Sequence, residues 1–328
     1  MKKVLLTGAN GLLGSHVAQQ LTHAGYLVRA MVRKGKGTPL LKALSCEIFE
    51  GDLTNPADVW QAVKDCDFVV HAAARTSPYP MDINAFRDIN IEATTHLISA
   101  CLQQRVERFV YVSTANCFTN GTKEHPGTED SEFMPWLKHS AYAYSKYLAQ
   151  QQVLSAVREK GFPAIVVCPT FMIGSHDYKP SSGQLLLHLL RNRLVVYPPG
   201  GKCFVDATAA AVAIKNALTK GEIGQCYLLA EENLSYREFY KLAKKISNRV
   251  VFLLPIPRFL LTFLGHLGSF LEKKWGIVNA LSVPNTRMLC TFNYFSGQKA
   301  KAVLAMPSVA IEASIKESYH WFKTINLA

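Results

Sequence analysis

The sequence predicts an α/β protein built on a doubly wound parallel sheet, followed by a mostly helical part. Three observations carry this expectation. Short apolar runs alternate with helical patterns through the first half of the chain, and the first run ends in a glycine-rich turn. Beyond about residue 176 the runs give way to helices separated by prolines. The 328 residues are 49% hydrophobic and 18% charged, a balance that favours a buried core over disorder.

Val4-Leu5-Leu6 reads as the first, buried strand, and Thr7-Gly8-Ala9-Asn10-Gly11-Leu12-Leu13-Gly14 turns from it into a helix. Gly8 permits a tight turn, Gly11 lets backbone approach a pyrophosphate, and Gly14 lets helix and strand pack closely. The N–H groups at the helix start then face negative phosphates. Thr7, Gly8, Asn10, Gly11, Leu12 and Gly14 are therefore candidate cofactor contacts. The spacing is Gly-x-x-Gly-x-x-Gly, not the commonest dinucleotide fingerprint.

Leu13, Val17 and Leu21 repeat at helical spacing, Gly25 ends that helix, and 27–32 is the second strand. The position about 20 residues past such a glycine turn meets the adenosine ribose, where an acidic residue suits NAD. Here it is Arg33, followed by Lys34, and a guanidinium pairs with a 2′-phosphate. The expected cofactor is NADP, with NAD as the alternative.

Ile48-Phe49 is the third strand. Asp52, followed by Leu53, is placed to accept from an adenine amino group, although a turn aspartate is the plainer reading. Phe68-Val69-Val70 is the fourth strand and leads into His71-Ala72-Ala73-Ala74. Three small residues at a strand's carboxyl end leave room for a flat ligand; His71 reads as a packed residue. A single helix is expected over 84–104, with Ile91, Thr95, Ile98 and Leu102 on one face. Residues 108–112 form the fifth strand, ending at Ser113-Thr114. A loop over 119–139 and a helix over 140–160 follow. The sixth strand, 164–167, is closed by Cys168-Pro169-Thr170.

Later helices are expected at 185–190, 207–218 and near 235–247, 258–275 and 308–323, with a turn at Pro198-Pro199-Gly200-Gly201. The expected division places a dinucleotide-binding unit at 1–175, to which 203–220 returns. A substrate cap takes 176–202 and 221–328. Within 259–274, Leu260, Phe263, Leu264, Leu267, Phe270 and Leu271 oppose Thr262, His266, Ser269 and Lys273. The preferred reading is a cap helix packing its apolar side on the core. Peripheral contact with an anionic membrane is the second.

Tyr142 and Lys146 are four apart, so they share a helix face. A nearby ammonium stabilises phenolate and lowers the tyrosine pKa, which suits Tyr142 to proton transfer. Lys146 also reaches toward a nicotinamide ribose. Thr114, at the end of the fifth strand, reaches the same substrate oxygen. Neither pair means much alone. Their order after the glycine turn gives them weight.

In that order the chain resembles an extended short-chain dehydrogenase/reductase. Thr7-Gly8-x-x-Gly11-x-x-Gly14, Asp52-Leu53, His71-Ala72-Ala73, Asn90, Ser113-Thr114, Tyr142-x-x-x-Lys146 and Pro169-Thr170 carry the resemblance. It extends more weakly through Phe204-Val205-Asp206 and Tyr294-Phe295-Ser296 to Lys299-Ala300. The branch it most resembles is that of dihydroflavonol reductases and 3β-hydroxysteroid dehydrogenases, through residues 28–33. The resemblance implies a Rossmann half with an interleaved cap, and Asn90, Pro169 and Thr170 among the cofactor contacts. It implies Tyr142 as general acid/base, Lys146 as its tuner and ribose ligand, and Thr114 as the group that polarises the carbonyl. Two positions depart from the pattern: Thr114 stands where serine is usual, and Ala209 where a second aspartate often follows the Val-Asp element.

The expected activity is NADP(H)-dependent interconversion of a carbonyl and a secondary alcohol. The Leu-, Phe- and Val-rich cap points to a small apolar substrate, lipid-, sterol- or flavonoid-like. The alternative is a nucleotide-sugar epimerase or dehydratase holding NAD tightly. Arg33 disfavours it, as does Ala115-Asn116, where sugar dehydratases of the family carry Asp-Glu. A non-catalytic role is disfavoured by the intact Thr114, Tyr142 and Lys146.

The formal charge of +12 and pI near 9.3 come from residues spread along the chain without a nucleic-acid motif, so no nucleic-acid partner is expected. The eight cysteines show no C-x-x-C, which argues against a disulfide framework or metal site. Residues 2–6 are too short for a signal core, and no run of 18 apolar residues exists. A cytoplasmic protein is expected, membrane-associated at most through 259–274, and a homodimer is compatible with this reading.

Overall fold

The computed structural model describes residues 1–36, 39–178, 180–277 and 279–327. The chain begins with β1 (Lys3–Thr7), α1 (Leu12–His23), β2 (Leu27–Val32), α2 (Pro39–Ala43), β3 (Glu47–Glu50) and α3 (Pro56–Val63). Next come β4 (Phe68–His71), α4 (Asn84–Phe86), a π-helical turn (Arg87–Glu92), α5 (Ala93–Gln103) and β5 (Arg108–Val112). Then α6 (Ala141–Lys160), β6 (Ala164–Pro169), β7 (Phe171–Ile173), α7 (Gln184–Arg191), β8 (Leu194–Tyr197), β9 (Gly201–Asp206) and α8 (Ala207–Asn216) follow. The remainder holds β10 (Cys226–Leu229), β11 (Glu232–Ser235), α9 (Tyr236–Ser247), β12 (Phe252–Pro255) and α10 (Arg258–Trp275). It ends with α11 (Val283–Leu289), β13 (Phe292–Asn293), α12 (Gln298–Leu304) and α13 (Ile311–Thr324).

Seven strands form one parallel sheet in the order β10-β6-β5-β4-β1-β2-β3. Alternate residues of each strand enter opposite cores. Val4, Leu6, Val70, Val110 and Ile165 face α1 and α8. Leu5, Val69, Phe109 and Val166 face α3, α5 and α6. Both faces are covered, which is why these strands read as continuous apolar runs. The seventh strand comes from 226–229, a stretch the sequence reading gave to the cap; its apolar residues are too few to set it apart from a buried helix segment.

The single helix expected over 84–104 is interrupted by the π turn at 87–92. A π turn closes on i→i+5, so it shifts every later residue around the axis. Thr94, Leu97, Ile98 and Cys101 are buried, whereas Thr95 is exposed. α6 begins where expected, its first turn capped by the Ser140 side chain, and ends at Gly161 with φ +62°.

The C-terminal part is mostly helical but contains short strands that the sequence did not signal. β7, β9, β11 and β13 form a mixed sheet, and β8 pairs with β12. The preferred reading of 259–274 is corrected. The buried residues of α10 are Leu261, Gly265 and Gly268, while Phe259 is 75% and Phe263 64% exposed. The helix seats on its glycines: a Cβ at Gly268 would fall 1.6 Å from the Leu281 carbonyl oxygen and one at Gly265 2.1 Å from Thr286 Oγ1. Close backbone approach through small residues, not apolar bulk, chose the packed face.

Candidate active site

The three glycines of the first turn do three different things. Gly8 has φ +71°, and a Cβ there would lie 2.7 Å from the Ala73 nitrogen. A Cβ on Gly14 would lie 2.0 Å from the Gly8 carbonyl oxygen, so α1 can seat on β1 only without one. A Cβ on Gly11 would meet nothing nearer than 3.4 Å. Gly11 caps α1 with no side-chain hydrogen bond, leaving the helix's first N–H groups for a ligand. An open cradle over an uncapped helix start fits the pyrophosphate of a dinucleotide. Leu12 is the first helical residue, and Asn10 Nδ2 donates to the Lys36 carbonyl at 2.9 Å, tying the turn to the segment after β2.

A chain of hydrogen bonds runs beneath this turn. Asn90 Nδ2 donates to Ser145 Oγ at 2.9 Å, and Ser145 Oγ donates to the Tyr142 carbonyl at 2.8 Å. Thr94 Oγ1 donates to the Asn90 carbonyl at 2.9 Å, so it accepts from His71 Nε2 at 3.2 Å. His71 Nδ1 is then an acceptor for the Thr7 hydroxyl at 2.8 Å, and Thr7 accepts from the Ala73 N–H at 3.2 Å. Burial, with the Lys146 charge adding to it, pushes His71 down to about 3, so the ring stays neutral. The Asn90 amide also brackets Arg75, accepting from its N–H at 2.8 Å and donating to its carbonyl at 3.1 Å. Thr7 and Asn90 thus hold the half-buried Ala72, Ala73 and Ala74 in place, their own polar atoms engaged within the protein.

At the other end of the cradle, Arg33 is exposed directly after β2. Asp52 Oδ1 accepts from the Thr54 N–H and hydroxyl, both at 2.9 Å. Those bonds, and after them the Arg33 guanidinium, hold the Asp52 carboxyl below its usual range. Leu53 beside it is half-buried. Glu50, which the sequence reading did not single out, accepts from the Gly35 N–H at 3.0 Å and closes the same corner.

Thr114, Tyr142, Pro169 and Thr170 converge on one cavity of about 150 Å³. The Thr170 hydroxyl and N–H both donate to the Leu229 carbonyl at 3.0 Å, fixing the end of β6 to β10. Lys146 lies behind, 2% exposed, its Nζ donating to the Val112 carbonyl at 2.8 Å and standing 4.2 Å from the Tyr111 ring centroid. Burial lowers its pKa to about 8. The expectation that Lys146 lowers the Tyr142 pKa is not met in this arrangement. Burial pushes the phenol up to about 12, and the Thr114 hydroxyl offsets only part of that. Helix spacing puts Lys146 on the same face but says nothing of desolvation, which here outweighs it.

Two further lining residues went unnoticed in the sequence, Lys202 on β9 and Asn293 on β13, which pair in register. The available signal was a lone lysine beginning the apolar stretch Cys203-Phe204-Val205. A larger open groove of about 620 Å³ beside α6, lined by Phe133, Tyr144 and Tyr147 among others, holds none of the expected site residues.

Residues 4–222 match the family model described as the NAD dependent epimerase/dehydratase family. A putative dihydroflavonol 4-reductase of Synechocystis is 27% identical, covering 97% of this chain and 94% of its own length. A decarboxylating sterol-4-alpha-carboxylate 3-dehydrogenase of Dictyostelium discoideum is 28% identical over 78% of this chain and 81% of its own. Among solved structures, gox2253 superposes with a TM-score of 0.86 at 27% identity, covering 100% of this chain and 99% of that one.

Proposed function

The chain belongs to the NAD dependent epimerase/dehydratase family, among its extended short-chain dehydrogenases/reductases, and from that premise we propose an NADP(H)-dependent oxidoreductase acting on a carbonyl/secondary-alcohol pair. The observation that carries the reading is the Thr114 hydroxyl set on the Tyr142 phenol within one small cavity. When bound, the nicotinamide supplies or takes up a hydride.

The chain's own residues do the rest. With its pKa near 12 the Tyr142 phenol is protonated at neutral pH and can donate to a carbonyl oxygen. Thr114 donates a hydrogen bond to the same oxygen, favouring the charge that develops there. Gly11 and the start of α1 would hold the pyrophosphate, Arg33 a 2′-phosphate, and Asp52 with Leu53 the adenine. Ala72, Ala73 and Ala74 would flank the dinucleotide, Lys146 its ribose, and Pro169 with Thr170 its nicotinamide end. On this reading residues 1–175, with 203–220 and the sheet strand at 226–229, carry the cofactor and the remainder covers the substrate. The dihydroflavonol and the sterol carboxylate named for the two relatives support a small substrate with a largely apolar skeleton.

A screen of ketones with NADPH and NADH, followed at the nicotinamide absorbance, tests the proposal. Turnover with NADPH preferred is expected. A purified protein that retains NAD and reduces no ketone would overturn it.

The outward face of α10 adds a setting for that activity. Phe259, Phe263, Phe270 and Trp275 are exposed beside Arg258, Lys273 and Lys274, with Lys274 Nζ 5.4 Å from the Phe270 ring centroid. Apolar rings flanked by basic residues at both ends of the helix suit an anionic lipid surface, which fits the charge of +12. Co-sedimentation with anionic but not zwitterionic vesicles, lost in Phe259→Ser/Phe263→Ser, is expected. No sedimentation, or a concentration-dependent dimer abolished by the same changes, would refute it.

A further inference from the structure

Away from the site, β8 and β12 form a parallel pair of their own, apart from the other two sheets. Inward, Val195 is buried and Leu253 half-buried in a core shared with α7, α9 and α13. Outward, Leu194 pairs with Phe252 and Val196 with Leu254, and these four residues are between 39% and 70% exposed. Val250, just ahead of β12, is exposed as well. A strand with one face in water ordinarily alternates apolar and polar residues. These two are apolar on both faces. Cross-strand pairs of exposed apolar residues mark a surface that meets a partner.

The surroundings of this face give the partner's charge. Arg193 and Arg249, both exposed, precede β8 and β12 and so share one end of the parallel pair. At the other end, Pro255-Ile256-Pro257 leads into Arg258 and the exposed stripe of α10. No acidic residue stands between Asp177 and Asp206. Between Glu238 and Glu312 the only one is Glu272, against ten Lys and Arg. Glu272 is itself turned inward: its Oε1 accepts from the Met81 N–H at 2.7 Å, and its Oε2 is buried. An apolar face bounded by cations fits an anionic lipid surface. Leucine and valine offer neither hydrogen bonds to base edges nor rings for base stacking, so a nucleic acid fits it less well.

Resting on the lipid reading of α10 for the identity of the partner, we propose that the β8–β12 face is a second membrane-docking element. Leu194, Val196, Phe252 and Leu254 enter the headgroup boundary of an anionic bilayer, and Arg193 and Arg249 pair with its phosphates. One such signal holds a protein to a membrane only marginally, whereas two hold it firmly, because the second contact forms within a molecule already bound. Two elements also fix an orientation, which one helix free to roll does not. The docked face is close to the site. Pro198-Pro199-Gly200 alone separates β8 from β9, whose Lys202 lines the cavity with Tyr142. Docking therefore holds the cavity within one short turn of the lipid.

The test is co-sedimentation of the full chain with vesicles of phosphatidylcholine alone, or of phosphatidylcholine and phosphatidylglycerol in equal parts. The wild type should bind only the anionic vesicles. Phe252→Ser/Leu254→Ser, with α10 intact, should weaken that binding about 10- to 100-fold. Arg193→Gln/Arg249→Gln should weaken it about 10-fold, and added salt should erase this difference. Circular dichroism and melting of each variant report folding, and the arginine pair, placed ahead of the strands, decides the matter if the serine pair unfolds. Unchanged binding by a folded Phe252→Ser/Leu254→Ser protein would overturn the proposal; loss of binding in Phe259→Ser/Phe263→Ser alone would do so while leaving the α10 reading standing. Loss in the strand variant without loss in the helix variant would overturn the α10 reading and leave this one standing. A wild type that binds no vesicles, or a dimer dissolved by Phe252→Ser/Leu254→Ser in place of vesicle binding, would overturn both.

Discussion

Replacing Lys146 by methionine should stabilise the fold at pH 7 while removing activity. The side chain is 2% exposed, and burial lowers its pKa from 10.5 to about 8. A tenfold change in proton affinity is worth about 1.4 kcal/mol, so keeping the lysine charged at pH 7 costs the folded state about 3 kcal/mol. Methionine retains the stem and drops the charge. It forfeits the hydrogen bond to the Val112 carbonyl, about 1 kcal/mol, leaving a net gain of about 2 kcal/mol, or a few degrees in melting temperature. The sign of the pH dependence follows from linkage. The folded pKa lies below the unfolded one, so the unfolded chain binds more protons between about pH 8 and 10.5. Wild-type stability therefore rises across that window, and Lys146→Met lacks this rise. Thermal melts of both proteins at pH 7, 8, 9 and 10 should show the gap widest at pH 7 and closing by pH 10. A variant less stable than wild type at pH 7, or a gap that does not change with pH, would refute the reasoning.

Tyr142→Phe should lower kcat by about 10²–10⁴-fold while leaving cofactor affinity nearly intact, as fluorescence titration of NADPH would show. Arg33→Asp should erase a 10- to 100-fold preference for NADPH over NADH, the worth of a charge-assisted hydrogen bond of about 1.5–3 kcal/mol; equal affinities in the wild type would refute that assignment. Gly11→Ala and Gly14→Ala should separate binding from folding. A methyl at Gly11 meets only the Gly8 carbonyl oxygen, at an ordinary contact distance of 3.4 Å, so the protein melts normally but binds the dinucleotide less tightly. A methyl at Gly14 strikes the Gly8 carbonyl and lowers stability by about 1–3 kcal/mol in denaturant melts.

The central sheet was legible because its strands announce themselves locally. Leu27–Val32 and Arg108–Val112 appear with the expected bounds, since both faces of the sheet are covered and the runs are apolar apart from Arg29 and Arg108. The short strands of the C-terminal part were not legible. β13 has two residues and exists only through its pairing with β9, far away in sequence. The face of α10 was misread because an amphipathic pattern ranks residues by apolarity, whereas Gly265 and Gly268 were selected by closeness of approach. In the site, the order of motifs located Thr114 and Tyr142, which do meet. Their proton affinities were out of reach, because desolvation depends on everything that surrounds a side chain and not on its neighbour four residues away. Lys202 was hidden for the same reason: only the pairing of β9 with β13 brings a solitary lysine to the cavity beside Asn293.

The hydrogen bonds beneath the glycine turn all point one way. From the Ala73 N–H they pass through Thr7, His71 and Thr94 to the Asn90 carbonyl, and from the Asn90 side-chain amide through Ser145 to the Tyr142 main chain. Aligned dipoles of this kind polarise one another, so the row acts as a single strut whose links strengthen together. It sets the distance between the cradle and the first turn of α6 without a covalent tie. It also removes redundancy. Thr94→Val would take the acceptor from His71 Nε2 and free the ring to adopt the other tautomer. That tautomer would turn the Thr7 hydroxyl toward the alanines. A residue outside the proposed cofactor and substrate contacts would thereby alter the geometry beneath both.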